Sequence, residues 1–150
     1  MTTPLPKHVI IADDDEDDRL FVTEALQEIE VPTEVVEVSN GQELMEILHD
    51  PKIPLPDVVF LDLNMPLKNG LECLKEIRED QDEKIKNLNV VILSTSSNNT
   101  NIDQCYELGA SYYSVKPPNY NNLKKLISKV LTMDWDCYNK PDRKQFVLSI

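Results

Sequence analysis

Four groups of residues in this sequence could do chemistry, and each group follows a short apolar run. Three aspartates stand at positions 13–15, and Asp62 follows the run inside the segment DVVFLDLNMP at 57–66. Ser94 and Thr95 follow another apolar run, and Lys116 with Pro117 follows the last one. Brought together, these residues would offer several carboxylates, a hydroxyl and an ammonium group.

Such a collection suits the transfer of a phosphoryl group to an aspartate. Clustered carboxylates repel one another unless a cation lies among them, and oxygen ligands that are mostly aspartate suit Mg²⁺. A lysine and a hydroxyl can hold the outer oxygens of a phosphoryl group, over which its charge spreads. In this interpretation Asp62 is the nucleophile. A lone aspartate at a strand end is commonly a turn cap. Asp62 by itself therefore does not distinguish a structural cap from a catalytic carboxylate.

Five strand-like runs alternate with five helical patterns, and together they must position these residues. The strands are predicted at 8–12, 34–38, 58–61, 90–93 and 112–115, and the helices at 17–29, 42–49, 71–77, 102–108 and 123–131. The first, third and fourth strands are apolar throughout, which is typical of a parallel sheet covered by helices on both faces. Right-handed crossovers bring the carboxyl ends of such strands to one edge, where open α/β sheets bind ligands.

Composition narrows the class of protein. The chain of 150 residues suits one domain, and its formal net charge of -12 argues against nucleic acid as a direct partner. No apolar run approaches the roughly 18 residues of a membrane span, and the N-terminus lacks the layout of a secretory signal. The three cysteines stand far apart, which suits reduced thiols. A cytoplasmic protein without membrane contact is expected.

The order and placing of these residues resemble the receiver domain of two-component response regulators. The likeness covers roughly residues 7–131, and it rests on Asp13-Asp14, the segment LDLNMP at 61–66, Gly70, Ser94 and Lys116-Pro117. It implies an α/β fold of the doubly wound, flavodoxin-like kind, with a five-stranded parallel sheet in the order 2-1-3-4-5. It further implies a phosphoryl group supplied by a sensor histidine kinase or a phosphotransfer protein, and a signal passed to a downstream protein target.

The resemblance implies a Mg²⁺ site around the phosphoacceptor Asp62. Asp14 would bind the metal directly, Asp13 largely through water, and Asn64 would offer its backbone carbonyl. The domain would catalyse only its own phosphorylation and its own loss of phosphate, and would not be an enzyme with a separate substrate.

The resemblance also implies a switch. Ser94 would hold a phosphoryl oxygen, at a position where the family more often has threonine. Lys116 would pair with Asp62 or its phosphate, with a cis peptide bond between Lys116 and Pro117. Tyr113 would be the aromatic residue that rotates. The face formed by the fourth helix, fifth strand and fifth helix would then repack for output or for a homodimer.

A narrower likeness points to single-domain regulators that serve phytochrome-type kinases. It rests on the LDLNMP segment, on the prolines of the loop before it and on the serines and threonine at 94–97.

Other interpretations compete at several positions. The acids at 13–18 imitate a calcium loop, but Asp18 stands where that loop needs glycine, and a helix start suits 15–18 better. Thr95, Ser96 or Ser97 could replace Ser94 if the strand ends one residue away. A phosphatase of the haloacid dehalogenase type would need an acid where Asn64 stands. An adaptor that keeps the fold without phosphorylation is the remaining alternative.

The last residues, 132–150, are expected to be a tail on a receiver domain of 1–131, too short for an output domain. They contain Trp135, Tyr138 and Phe146, and disordered segments are poor in aromatic residues. We therefore predict that the tail folds back near the last helix or covers the same face of a second copy.

Overall fold

The computed structural model describes residues 5–149 and confirms the α/β fold. The strands are β1 (Lys7–Ala12), β2 (Thr33–Val38), β3 (Val58–Leu61), β4 (Val90–Ser94) and β5 (Tyr112–Val115). The helices are α1 (Glu16–Glu28), α2 (Gly41–Leu48), α3 (Gly70–Arg78), α4 (Glu83–Lys86), α5 (Asn99–Glu107), α6 (Tyr120–Leu131) and α7 (Arg143–Phe146). A 3₁₀ turn, Trp135–Cys137, lies between α6 and α7.

The strands form one parallel sheet in the order β2-β1-β3-β4-β5, which confirms the order that the resemblance implies. The register aligns Ala12 with Val38 and Leu61, the last residues of the two neighbouring strands. All five strands therefore end at one edge of the sheet, and the residues that follow them are brought together there.

Each central strand is buried on both faces because its side chains alternate between two cores. Val9 and Ile11 face one core, where α1 and α6 pack through residues such as Leu26 and Leu126. Ile10 and Ala12 face the other core, which is closed mainly by α2, α3 and α5. This double covering explains why β3 is apolar at every position and β4 at every position before Ser94.

Two helices begin three residues earlier than their apolar patterns predict, since asparagine side chains cap them. Asn98 Oδ1 accepts a hydrogen bond of 2.7 Å from the Thr100 amide at the start of α5. Asn119 does the same for Asn121, at 2.8 Å, at the start of α6. The short helix α4 was not predicted from the sequence; it begins after the cap Asp82.

Gly70 holds the loop after β3 against the end of that strand. A Cβ atom on Gly70 would lie 2.3 Å from the Asp62 carbonyl oxygen, closer than packed atoms approach. Its amide donates to the Leu63 carbonyl at 3.0 Å, and Asn69 caps α3 directly before it. The absence of a side chain at Gly70 therefore fixes the path of the loop that leaves Asp62.

The tail folds back onto the domain, as predicted, but it lies over β5 as well as near α6. Trp135 Nε1 donates to the Val130 carbonyl at 3.0 Å, and the Tyr138 hydroxyl donates to the Ser111 carbonyl at 2.9 Å. Val147 then pairs in parallel with Tyr113 of β5. Within residues 5–149, no helix combines the length and apolar character needed to cross a membrane.

Candidate functional site

Main-chain hydrogen bonds carry the sheet one residue beyond its strands and fix the residues at its edge. The Asp13 amide donates to the Val38 carbonyl at 3.1 Å, and the Asp62 amide donates to the Ala12 carbonyl at 2.9 Å. The Lys116 amide donates to the Ser94 carbonyl at 2.7 Å. The predicted groups thus meet at the carboxyl edge on a rigid frame.

Three carboxylates form the centre of this edge. Asp13, Asp14 and Asp62 each place an oxygen so that all three oxygens lie within 4.8 Å of one another. Asp13 and Asp62 are buried, with 4% and 7% of their surface exposed, whereas Asp14 is open to solvent. One Asp13 oxygen also accepts a hydrogen bond of 2.9 Å from the Asp15 amide. A cation could reach this group from the side of Asp14.

Burial, and after it the negative charge of Asp13, raise the pKa of Asp62 to a net value of about 6. The ammonium of Lys116 and the nearby backbone amide of Asn64 oppose this rise only in part. The positive charge that the protein supplies therefore does not fully compensate the repulsion between the carboxylates. Oxygen ligands, crowding and one open side together fit a divalent cation.

Lys116 lies among the acids. Its Nζ atom is 2.7 Å from Asp13 Oδ2, 2.8 Å from Asp18 Oδ2 and 3.7 Å from Asp62 Oδ2. Burial lowers the pKa of Lys116, but its hydrogen bonds to Asp13 and Asp18 and the charge of Asp62 outweigh burial, so the net pKa is raised. Lys116 is thus a fixed positive charge that bridges β1, β3 and the first turn of α1.

The sequence interpretation missed the part played by Asp18, which it assigned to a solvated helix start. Asp15 alone caps α1, since its side chain accepts from the amides of Asp17 and Asp18. The cap leaves the Asp18 carboxylate free to bind Lys116. A helix needs only one acidic residue as its cap, and this sequence has several acids in the first turn of α1. That excess was the signal in the sequence for a second role.

The expected cis bond between Lys116 and Pro117 is wrong for this structure, because residues 5–149 contain no cis peptide bond. The trans form is favoured intrinsically by about 0.5–1 kcal/mol before proline. With the trans bond the Lys116 amide still pairs with β4, and its ammonium still reaches the carboxylates. Nothing in this geometry requires the cis form.

Ser94 is the last residue of β4 and is fully buried, whereas Thr95 and Ser97 are exposed. Ser94 Oγ accepts a hydrogen bond of 3.1 Å from the Ser96 amide. The Tyr113 hydroxyl donates to the Ser96 carbonyl at 2.6 Å, and burial raises the pKa of that hydroxyl. Ser96 therefore links Ser94 to Tyr113, a connection that the sequence pattern did not reveal.

Comparison with known proteins places these residues in a family context. The response regulator receiver domain family matches residues 9–128 of the chain. The chain is 31% identical over 129 residues to the response regulator Rcp1 of Synechocystis sp., a match that covers 83% of this chain and 86% of that protein. It is 32% identical over 126 residues to the two-component response regulator ORR11 of Oryza sativa subsp. indica, covering 84% of this chain and 82% of that protein.

Solved structures give the same picture. The phosphorylated cyanobacterial phytochrome response regulator RcpA is 35% identical, with a TM-score of 0.77, over 84% of this chain and 91% of its own. The Mn²⁺-bound form of Rcp1 is 29% identical, with a TM-score of 0.78, over 91% of this chain and 99% of its own. The residues matched to the family contain the whole edge at which the carboxylates, Ser94 and Lys116 meet.

Proposed function

The chain belongs to the response regulator receiver domain family, and we propose that Asp62 is its phosphoacceptor, with Mg²⁺ as the working cation. The observation that carries this proposal is the setting of Asp62: a buried carboxylate with Asp13 and Asp14 within 4.8 Å and Lys116 at 3.7 Å. Phosphorylation of such a domain comes from a histidine kinase, directly or through a phosphotransfer protein.

Asp13, Asp14 and Asp62 would hold the cation, together with the backbone carbonyl of Asn64. Magnesium suits them because their donors are hard oxygens and because the open side at Asp14 leaves room for retained water. When bound, the cation supplies positive charge beside the oxygens of the transferred phosphoryl group.

The residues of the chain perform the transfer by position and charge. An Asp62 oxygen attacks the phosphorus of a phosphohistidine in line; the O–P bond forms as the P–N bond breaks, and the bonding electron pair returns to the imidazole. Lys116 is held near Asp62 by Asp13 and Asp18, so a small movement brings its ammonium to the new phosphate. Ser94 donates its hydroxyl to a second phosphoryl oxygen.

In this proposal residues 1–131 are the receiver domain and 132–150 its tail, and the domain catalyses only its own modification. Output is protein contact through the face of α5, β5 and α6, which could also support a homodimer.

Relatives described as phytochrome response regulators suggest a phytochrome-type kinase as the source of phosphate. A phosphatase of the haloacid dehalogenase type is disfavoured because Asn64 stands where its second acid is needed.

The experiment is phosphorylation of the full chain by acetyl phosphate, followed by intact-mass spectrometry. We expect one added phosphate in the presence of Mg²⁺ and none after chelation. Asp62→Asn should abolish the addition. Asp57→Asn is the matched control, because Asp57 lies at the opposite end of β3 and its carboxylate accepts from the His8 amide at 2.8 Å. Undiminished labelling of Asp62→Asn would exclude Asp62 as the phosphoacceptor.

A further inference from the structure

The tail closes an edge of the sheet that would otherwise be open. β5 is the last strand in the sheet order, and edge strands present unpaired amides and carbonyls to any extended chain. Val147 pairs in parallel with Tyr113, and the Leu148 amide donates to the Tyr113 carbonyl at 2.8 Å. The tail thus occupies the position of a sixth strand over a short length.

Phe146 anchors this short pairing in the core. Its side chain is fully buried, and its ring lies 5.0 Å from the ring of Tyr106 and 6.4 Å from that of Tyr113, measured between centroids. Phe146 and Val147 pack against the core that contains Ile92, while Leu148 packs against the opposite core. The tail therefore straddles the sheet edge and touches both faces.

The polar contacts around this anchor are peripheral. Arg143 Nε lies 2.6 Å from Asp103 Oδ1 of α5, and both side chains are exposed. Lys129 of α6 donates to the Ser149 carbonyl at 3.0 Å from an exposed position. Exposed ion pairs contribute little because water competes for both charges. The attachment of residues 143–149 thus depends on Phe146 and on the pairing with Tyr113.

Tyr113 is the residue at which the tail and the phosphorylation site meet. Its hydroxyl is bonded to the Ser96 carbonyl, its ring contacts Phe146, and its carbonyl accepts from Leu148. Ser96 in turn donates its amide to Ser94 Oγ. A phosphoryl group on Asp62 that engages Ser94 would pull on the turn at 94–96, and the Tyr113 hydroxyl would follow its acceptor away from Phe146.

We propose that residues 143–149 are a strap over the β5 edge, and that phosphorylation of Asp62 loosens this strap; the proposal rests on the function assigned above. The surface beneath the strap offers main-chain partners for a parallel extended segment and a pocket for one aromatic ring. The partner that fits it is therefore a protein segment resembling the strap itself, with an aromatic residue followed by apolar residues.

Thermodynamic linkage makes the proposal reciprocal. If phosphorylation weakens closure of the strap by a given factor, then the closed strap weakens phosphorylation by the same factor, and opening the strap removes that penalty. Beryllofluoride is a non-covalent mimic of the phosphoryl group. Its binding to the full chain can be measured at equilibrium, so this reciprocity can be tested directly.

The first measurement is amide hydrogen exchange with and without Mg²⁺ and beryllofluoride. We expect the Leu148 amide to exchange on the order of tenfold faster in the presence of the mimic. The Asp57 amide, bonded to the His8 carbonyl at 2.7 Å, is the internal reference and should not change. Unchanged or slower exchange at Leu148, with the mimic bound, would overturn the strap.

The second measurement compares the beryllofluoride affinity of variants. Phe146→Leu, and more strongly Phe146→Ala, should open the strap and so bind the mimic more tightly than the parent, by at most the factor seen in exchange. Tyr138→Phe is the matched control, because it removes a tail hydrogen bond to Ser111 that does not involve Tyr113. Phe146→Leu keeps the test valid if the alanine variant does not fold. Parent-like affinity in a folded Phe146 variant whose Leu148 amide has lost its protection from exchange would refute the coupling. A parent that binds no mimic would instead refute the function assigned to Asp62.

Discussion

Replacing Asp62 with asparagine should stabilise the protein in the absence of metal, although Asp62 is the residue on which the proposed function depends. The pKa of Asp62 is raised from its ordinary value of 3.8 to about 6, chiefly by burial and then by Asp13. Each pKa unit corresponds to about 1.4 kcal/mol, so the charged carboxylate costs the folded state roughly 3 kcal/mol at neutral pH. Asparagine carries no charge and therefore avoids this cost.

The pH dependence follows from the sign of this change. Below about pH 3.8 the carboxyl group is neutral in both the folded and the unfolded state, and it costs nothing. Between about pH 3.8 and pH 6 the unfolded chain ionises first, so the contribution of Asp62 to stability falls as the pH rises. The advantage of Asp62→Asn should therefore be complete above pH 6 and absent near pH 4.

Urea denaturation in the presence of a chelator measures this advantage directly. We expect Asp62→Asn to raise the free energy of unfolding by roughly 2–3 kcal/mol at pH 7.5, and by much less near pH 4. Added Mg²⁺ should narrow the difference at pH 7.5, because it binds the three carboxylates of the parent more tightly than the two that remain in the variant. An Asp62→Asn protein no more stable than the parent at pH 7.5 without metal would show that the carboxylate is not crowded.

Three further predictions concern the surroundings of Asp62 and a site away from it. Asp14→Ala should abolish Mg²⁺ binding measured by calorimetry, because it removes the solvent-facing oxygen of the cluster; parent-like binding would exclude Asp14 as a ligand. Lys116→Met should lower the free energy of unfolding by roughly 2–4 kcal/mol in chelator, because it leaves buried carboxylates unpaired, and Mg²⁺ should recover much of this loss; a loss that Mg²⁺ leaves unchanged would count against the shared site. The pKa of His49 is raised by its bonds to the Met45 carbonyl and to Asp80, so its contribution to stability should be present below pH 6.5 and lost at higher pH; an equal effect of His49→Gln at pH 5.5 and pH 8.5 would contradict this.

The sequence predicted the strands closely because their signal is local. Two predicted strands, 58–61 and 112–115, agree with the structure at both ends, since an apolar run ends where the chain leaves the sheet. Helix starts were less accurate, because the first turn of α5 or α6 is polar and only its asparagine cap marks it. An apolar pattern marks only the buried part of a helix. A first turn that is exposed to water has no apolar residues and so is not marked by such a pattern.

The candidate site was predictable to the extent that topology alone collects its residues. Parallel strands bring Asp13, Asp62, Ser94 and Lys116 to one edge whatever the details of the loops. The partners of Lys116 were not predictable, because they depend on which acid of the first turn of α1 faces inward. The link through Ser96 was not predictable either. The residues of that turn all have hydroxyl side chains, so the sequence does not show which of them connects Ser94 to Tyr113.

The lysine among the acids explains how an edge so rich in negative charge remains folded before a metal or phosphate arrives. Its ammonium lies closer to Asp13 and Asp18 than to Asp62, so it balances the charges of Asp13 and Asp18 better than that of Asp62. Asp62 consequently keeps its raised pKa and part of its electrostatic penalty. In the proposed function, a bound cation would relieve that penalty. A phosphate on Asp62 would attract the ammonium of Lys116, and Asp13 and Asp18 would then lose part of their contact with it. In the proposed function, this destabilisation of the unmodified site would make part of the free energy of cation binding and phosphorylation available to move the turn at 94–96.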